Sequence, residues 1–200
     1  MGWQNPKDSH WRGDIGRLTI NENYQLKIDS KQPFLGVDNK FDKISLSYPW
    51  VSQNNDKIYS MFYGSTLSWK EKNNEMVHVI NKAVSLDGEN WTRLGLEIPF
   101  KINEYQAFSR PCHSFLDNDN ERIWFSFRSG KGEKYRIGYA EKYNNKWEVN
   151  NEKSGINISS SGWDSEMIEY PFVINHEGRN YMLYNGNGFG KTGIGLAVEK

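Results

Sequence analysis

A strand-opening element built around proline recurs three times in this chain, as SYPWV (Ser47 to Val51), SRPCH (Ser109 to His113) and EYPFV (Glu169 to Val173). The prolines at 49, 111 and 171 lie 62 and 60 residues apart. After each comes an aromatic-rich run: IYSMFYGS from Ile58, RIWFSFRSG from Arg122 and NYMLYNGNG from Asn180. A third run then follows, HVINKAVS from His78, YRIGYAEK from Tyr135 and GIGLAVEK from Gly193, with an earlier copy in DIGRLTIN from Asp14. Aligning Ile15, Ile80, Ile137 and Ile194 gives steps of 65, 57 and 57. A fixed period of this length, filled by short strands, is the mark of a β-propeller blade.

The turns agree with strands throughout. Ser85-Leu86-Asp87-Gly88-Glu89-Asn90-Trp91 places Asp-Gly between two strand runs, and Tyr143 to Trp147 (YNNKW) is its equivalent one blade later. SLDGENW is also similar to the Asp-box turn of sialidases, one residue short; the turn chemistry favours a structural hairpin. Aromatics make up 14% of the 200 residues and there are 18 glycines, while long helical hydrophobic periods are absent, so the expected fold class is all-β. The expected divisions are a partial blade over 1–44, blades over 45–106 and 107–166, and a last blade over 167–200 that lacks its outer strand. That leaves about three and a half blades with antiparallel four-stranded sheets. Closed propellers have about four or more blades, so the chain reads as the C-terminal part of something larger, and its open blade edges invite self-association.

Charge and cysteine content narrow the partners. Lys+Arg and Asp+Glu both number 25, which argues against the basic footprint of a nucleic-acid binder. No apolar run is long enough for a membrane span and the polar start has no signal-peptide layout, so a cytoplasmic location is expected. Cys112 is the one cysteine. His10, His78, His113 and His176 form no ligand spacing, so neither a metal site nor a cofactor is expected. The Gly-Lys-Thr of NGNGFGKTG stands between two strands rather than before a helix, so the phosphate-loop reading fails on context.

The runs YPWV, SRPC, YRIGYAE, GWDSEMIEYP and YNGNGFGKTGIGLAV, in this order, resemble the C-terminal part of the arabinanase/levansucrase/invertase superfamily. These are five-bladed β-propellers related to glycoside hydrolase families 43 and 32. The resemblance implies a sugar-processing or sugar-binding site on the central axis, with a bacterial saccharide or sugar conjugate as partner. Glu169-Tyr170-Pro171 is similar to the Glu-x-Pro pattern that carries the general acid in such glycosidases. Partial burial at an inner strand would raise the pKa of that carboxyl. The pattern departs at the two other inner-strand positions, which are Ser47 and Ser109, so no second axial carboxylate is supplied there. Glu166 is the nearer alternative partner, or a solvated loop charge.

The remaining candidates each have two readings. Arg110 either pairs with Glu169 or clamps a carboxylate or phosphate of the ligand. Trp163 and Asp164 stand together as a stacking platform and hydroxyl acceptor, or as inter-blade packing. Tyr170 neighbours the acid. Trp69 offers a second platform in a loop. Asn185 sits where a hairpin loop could reach a polar ligand, with Asn187 and Lys191 beside it. His78 aligns with Arg128 and Tyr135, as an axial group or a hydrogen-bonded core histidine. Three functions follow: a glycoside hydrolase-like enzyme inactive as this fragment alone, a non-catalytic carbohydrate-binding propeller, or an oligomeric assembly module.

Overall fold

The computed structural model describes residues 2–4, 11–38, 40–69, 76–116, 120–130 and 133–200; His10 lies outside the described residues. The chain begins with a two-stranded pair, β1 (Gly2–Gln4) and β2 (Trp11–Gly13), and a small hairpin of β3 (Leu18–Ile20) and β4 (Leu26–Ile28). Ile15 makes an isolated bridge to Leu35. It does not lie in a regular third strand, because Gly16 and Arg17 break the run before β3.

Three antiparallel sheets follow. The first comprises β5 (Leu46–Gln53), β6 (Tyr59–Ser68), β7 (Val77–Ser85) and β8 (Thr92–Leu96). The second comprises β9 (Tyr105–Phe115), β10 (Glu121–Ser129), β11 (Arg136–Tyr143) and β12 (Lys146–Val149). One parallel bridge, His78 to Ala107, joins the first to the second. The third has β13 (Glu169–His176), β14 (Arg179–Asn185) and β15 (Ile194–Val198).

Register makes the repeat physical. Ser47 faces Gly64, Ser109 faces Ser126 and Glu169 faces Asn185 on the first two strands of each sheet. Their next neighbours are Ile80, Ile137 and Ile194. After each of these positions the first strand carries one extra residue, at Tyr48-Pro49, Arg110-Pro111 and Tyr170-Pro171. Proline cannot donate to a ladder, so it is tolerated where a bulge has already interrupted the pairing.

The hairpins form as the turn chemistry requires. Asn144 and Asn145 both take positive φ, 50° and 61°, the type I′ geometry between β11 and β12. Asp87 Oδ1 accepts the Glu89 and Asn90 amides at 2.8 and 2.7 Å, and Ser85 Oγ accepts the Gly88 amide at 2.9 Å. SLDGENW is therefore a self-contained turn.

Three apolar layers alternate with the sheets. Ile15, Leu35, Leu46, Met61 and Tyr63 fill the space between the N-terminal segment and the first sheet. Phe62, Ile80, Phe108, Ile123, Phe125 and Trp147 join the first and second sheets. Cys112, Trp124, Ile137, Ile168, Met182 and Tyr184 join the second and third. Face-to-face stacking of twisted sheets about their first strands brings β5, β9 and β13 together at one line. No described helix is long and apolar enough to cross a membrane.

Candidate active site

The three bulges do more than accommodate proline. Tyr48, Arg110 and Tyr170, each the residue before the proline, adopt φ of 53°, 53° and 57°. Bulky residues avoid this left-handed region, at about 1–2 kcal/mol each. Such strain persists only where the surroundings impose it, and it concentrates at functional sites. Here it turns three side chains from three sheets toward one another. The Arg110 guanidinium lies 3.6 Å from the centroid of Tyr48 and 4.1 Å from that of Tyr170, a cation held between two aromatic faces.

Glu169 precedes this bulge in β13. It is fully buried, and neither carboxylate oxygen has a hydrogen-bond partner. Desolvation raises its pKa to about 7; the Arg110 charge and the Tyr170 hydroxyl pull in the other direction and do not prevail. Burial likewise pushes the Tyr170 phenol up to about 12. Ser126 Oγ accepts the Tyr170 amide at 2.8 Å and pins the bulge. Arg110 makes no ion pair among the described residues, with Glu169 or any other carboxylate, and its Nε is buried without a hydrogen-bond partner.

On the Tyr48 side, His78 bridges Ser47 Oγ (3.1 Å from Nε2) and Thr66 Oγ1 (3.1 Å from Nδ1). Burial, aided by the Arg110 charge, lowers its pKa to about 4, so this ring is neutral. A Cβ at Gly64 would stand 2.2 Å from His78 Nε2, which explains the glycine opposite Ser47. Beside them opens a cavity of about 330 Å³, with Arg12, Asp14, Ser47, Tyr48, Thr66 and His78 in its wall. Asp14 Oδ1 accepts the Val37 amide at 3.0 Å.

On the Tyr170 side, the loop between β14 and β15 carries Phe189 at φ 62°, 60% exposed. Its ring lies 6.5 Å from Tyr170 and 6.2 Å from Tyr135, and Arg128 sits 5.5 Å over Tyr135. Asn185 Nδ2 donates to the Phe189 carbonyl at 3.3 Å and so positions the loop tip.

Glu169, Arg110, Tyr170, His78, Asn185 and Arg128 therefore belong to one continuous cluster. Trp163 and Asp164 pack against the third sheet. Trp163 stacks on Tyr184 at 5.6 Å and packs against Gly186, Gly193 and Gly195. Asp164 is buried and accepts the Tyr184 hydroxyl at 3.0 Å. Glu166 is exposed and ion-paired to Lys134. Trp69 sits half-buried just beyond β6. Among the described residues no group of three or more His, Cys, Asp or Glu could hold a metal ion.

Sequence reasoning missed Tyr48, Phe189 and Asp14. Tyr48 stands at the repeat position of Arg110 and Tyr170 and could have been found by alignment. Phe189 owes its place to the loop conformation, which no local pattern announces. Asn187, expected beside Asn185 as a group reaching a ligand, instead ties the loop down. Its Oδ1 accepts the Glu166 and Met167 amides at 2.8 and 3.0 Å, and its Nδ2 donates to the Gly162 carbonyl at 3.1 Å.

No protein-family profile matches the chain. Two Mycobacterium tuberculosis proteins, MT1551 of strain CDC 1551 / Oshkosh and Rv1502 of strain H37Rv, both described as uncharacterized, are 39% and 38% identical over 199 residues. Those matches take in 98% of this chain but 64% of each relative, so the chain spans less than two thirds of the length of the curated relatives it matches. Among solved structures, a protein described as a glycoside hydrolase superposes with a TM-score of 0.65 at 18% identity, covering 86% of this chain and 51% of that one. Zg3597, a family 117 glycoside hydrolase of the marine bacterium Zobellia galactanivorans, gives 0.55 at 17%, covering 76% and 50%. The GH32 β-fructofuranosidase BmSUC1 of Bombyx mori gives 0.56 at 15%, covering 76% and 33%. At these identities the likeness is one of fold: the chain has the all-β, propeller-type fold found in these glycoside hydrolases.

Proposed function

We propose that the cluster around Arg110 is a saccharide site of glycosidase type. The observation that carries the reading is Glu169: a buried carboxyl without a hydrogen-bond partner, on an inner-strand bulge, with its pKa raised to about 7. A carboxyl kept protonated near neutral pH can donate to a glycosidic oxygen as the bond breaks. Aromatic faces at Tyr48, Tyr170 and Phe189 suit the apolar face of a sugar ring. Glycoside hydrolysis needs a second carboxylate. Ser47 and Ser109 provide none, and in the cavity wall beside Tyr48 the carboxylate is Asp14. The names of the fold neighbours, glycoside hydrolases of more than one family, support the class of substrate and no particular sugar.

The test is a screen of oligosaccharides with the full-length protein, measuring binding and release of reducing ends. Hydrolysis is expected, reduced about 10²–10⁴-fold by Glu169→Gln with binding retained. Binding without hydrolysis in the wild type would favour the non-catalytic reading, for which the serines at 47 and 109 speak. Binding of no saccharide would overturn both.

A further inference from the structure

We propose that the ligand of this site carries an anionic group, a sugar carboxylate or phosphate, gripped edge-on by the Arg110 guanidinium; this rests on the saccharide reading above. The guanidinium is sandwiched by Tyr48 and Tyr170 at 3.6 and 4.1 Å. With both faces covered, its remaining capacity for strong contacts lies in the plane of its N–H groups. That is the geometry in which arginine takes a carboxylate or phosphate through two parallel hydrogen bonds. The side chain is half-buried rather than sealed, so the fork can be reached.

Beyond Tyr48 and Tyr170, the cation has no carboxylate partner of its own among the described residues. No carboxylate lies within ion-pair distance of Arg110 among the described residues, and its Nε is buried without a hydrogen bond. Glu169 is adjacent in the fold but forms no ion pair with it. Asp14, in the cavity wall beside Tyr48, accepts the Val37 amide, and Glu166 is ion-paired to Lys134. Two further guanidiniums border the same cluster, Arg12 in the cavity wall and Arg128 over Tyr135. A half-buried charge without a counter-ion is costly, and the strained φ of Arg110 shows that the fold holds it in this place. The two aromatic faces take up part of that charge, and an anionic ligand would neutralise the rest.

The experiment compares matched saccharide pairs by calorimetry with the full-length protein: galacturonic against galactose oligosaccharides, and phosphorylated against unphosphorylated sugars, with inorganic phosphate alone as a further probe. The acidic member of at least one pair is expected to bind ten-fold or more tightly at low salt, and the preference is expected to shrink as salt is raised. Preference for the uronate would identify a carboxylate ligand and preference for the phosphorylated sugar a phosphate. Arg110→Gln should erase the preference, weakening the acidic member of the pair at least ten-fold more than the neutral one, and Arg110→Lys should keep part of it. Equal wild-type affinity within every pair, or a preference that survives Arg110→Gln, would overturn the inference and leave the saccharide reading standing. Binding of phosphate but no sugar would keep the anion site and remove the saccharide reading. Binding of neither would overturn both. Should Arg110→Gln fail to fold, the wild-type preference and the Arg110→Lys variant decide.

Discussion

At the scale of single residues, two buried titratable groups lean in opposite directions. Glu169 has its pKa raised from 4.5 to about 7 by desolvation. The folded chain keeps this proton while the unfolded chain releases it, so stability falls as pH rises from about 4.5 to 7 and levels off above. His78 is the reverse case, lowered from 6.5 to about 4: its contribution is present above 6.5 and lost as pH falls toward 4. The two slopes oppose each other between about 4.5 and 6.5 and flatten the wild-type curve there. Glu169→Gln should unmask the histidine slope. Relative to wild type, this variant should gain stability from pH 4 to pH 8, by at most about 3 kcal/mol. Urea denaturation at a series of pH values checks this, and a pH-independent difference would show that Glu169 titrates normally.

At the scale of elements, the repeated bulge is the device that gathers side chains from three sheets. One extra residue in β5, β9 and β13 turns Tyr48, Arg110 and Tyr170 into left-handed conformations and points them at one place. Gly64 on β6 leaves room for His78 behind the first bulge. Gly64→Ala should destabilise by about 1–3 kcal/mol, since the added methyl meets a ring held on both sides by hydroxyls; a chemical-denaturation midpoint unchanged from wild type would show that the strand can yield. Asn187 plays the corresponding part behind the third bulge. Asn187→Ala strands the Glu166 and Met167 amides and should cost about 1–3 kcal/mol. Hydrogen exchange should then speed up around 162–168 while the first sheet stays protected, and uniform exchange across all sheets would count against this role.

Much of this was legible in the residues and part was not. Pro49, Pro111 and Pro171 announced the repeat because proline disrupts a ladder and therefore marks the same interruption in each sheet. Ile80, Ile137 and Ile194 announced the register, and the Asn-Asn and Asp-Gly turns announced the hairpins. Ile15 misled, because the isolated bridge to Leu35 buries it without a full strand. The tyrosine–arginine–tyrosine sandwich was hidden, since nothing in a residue before proline declares a positive φ. Trp163 rests on three glycines and Tyr184 of the third sheet and stays 37% exposed, an arrangement compatible with either of its readings, platform or inter-blade packing.

At the scale of the whole molecule, the sheets stack with buried layers between them, except on the outer face of the third. There Phe172, Leu183 and Leu196 lie side by side in register, 45%, 41% and 60% exposed. Ile174, Tyr181 and Val198 form the next row. A contiguous apolar face of this kind is uncommon on a free surface. In solution the 200-residue chain should associate with itself as concentration rises, and Leu196→Lys should weaken that association by sedimentation velocity. A monomer at all concentrations would show that the face tolerates water.

The proposed site turns on Glu169, buried beside the bulge at Tyr170-Pro171, keeping its proton near neutral pH. The most direct test is a carbon-13 NMR titration of the Glu169 carboxyl in the full-length protein, assigned by its loss in Glu169→Gln. A midpoint near 7 is expected. A midpoint near the ordinary 4.5 would mean an ionised carboxylate at neutral pH, and Glu169 could not be the proton donor.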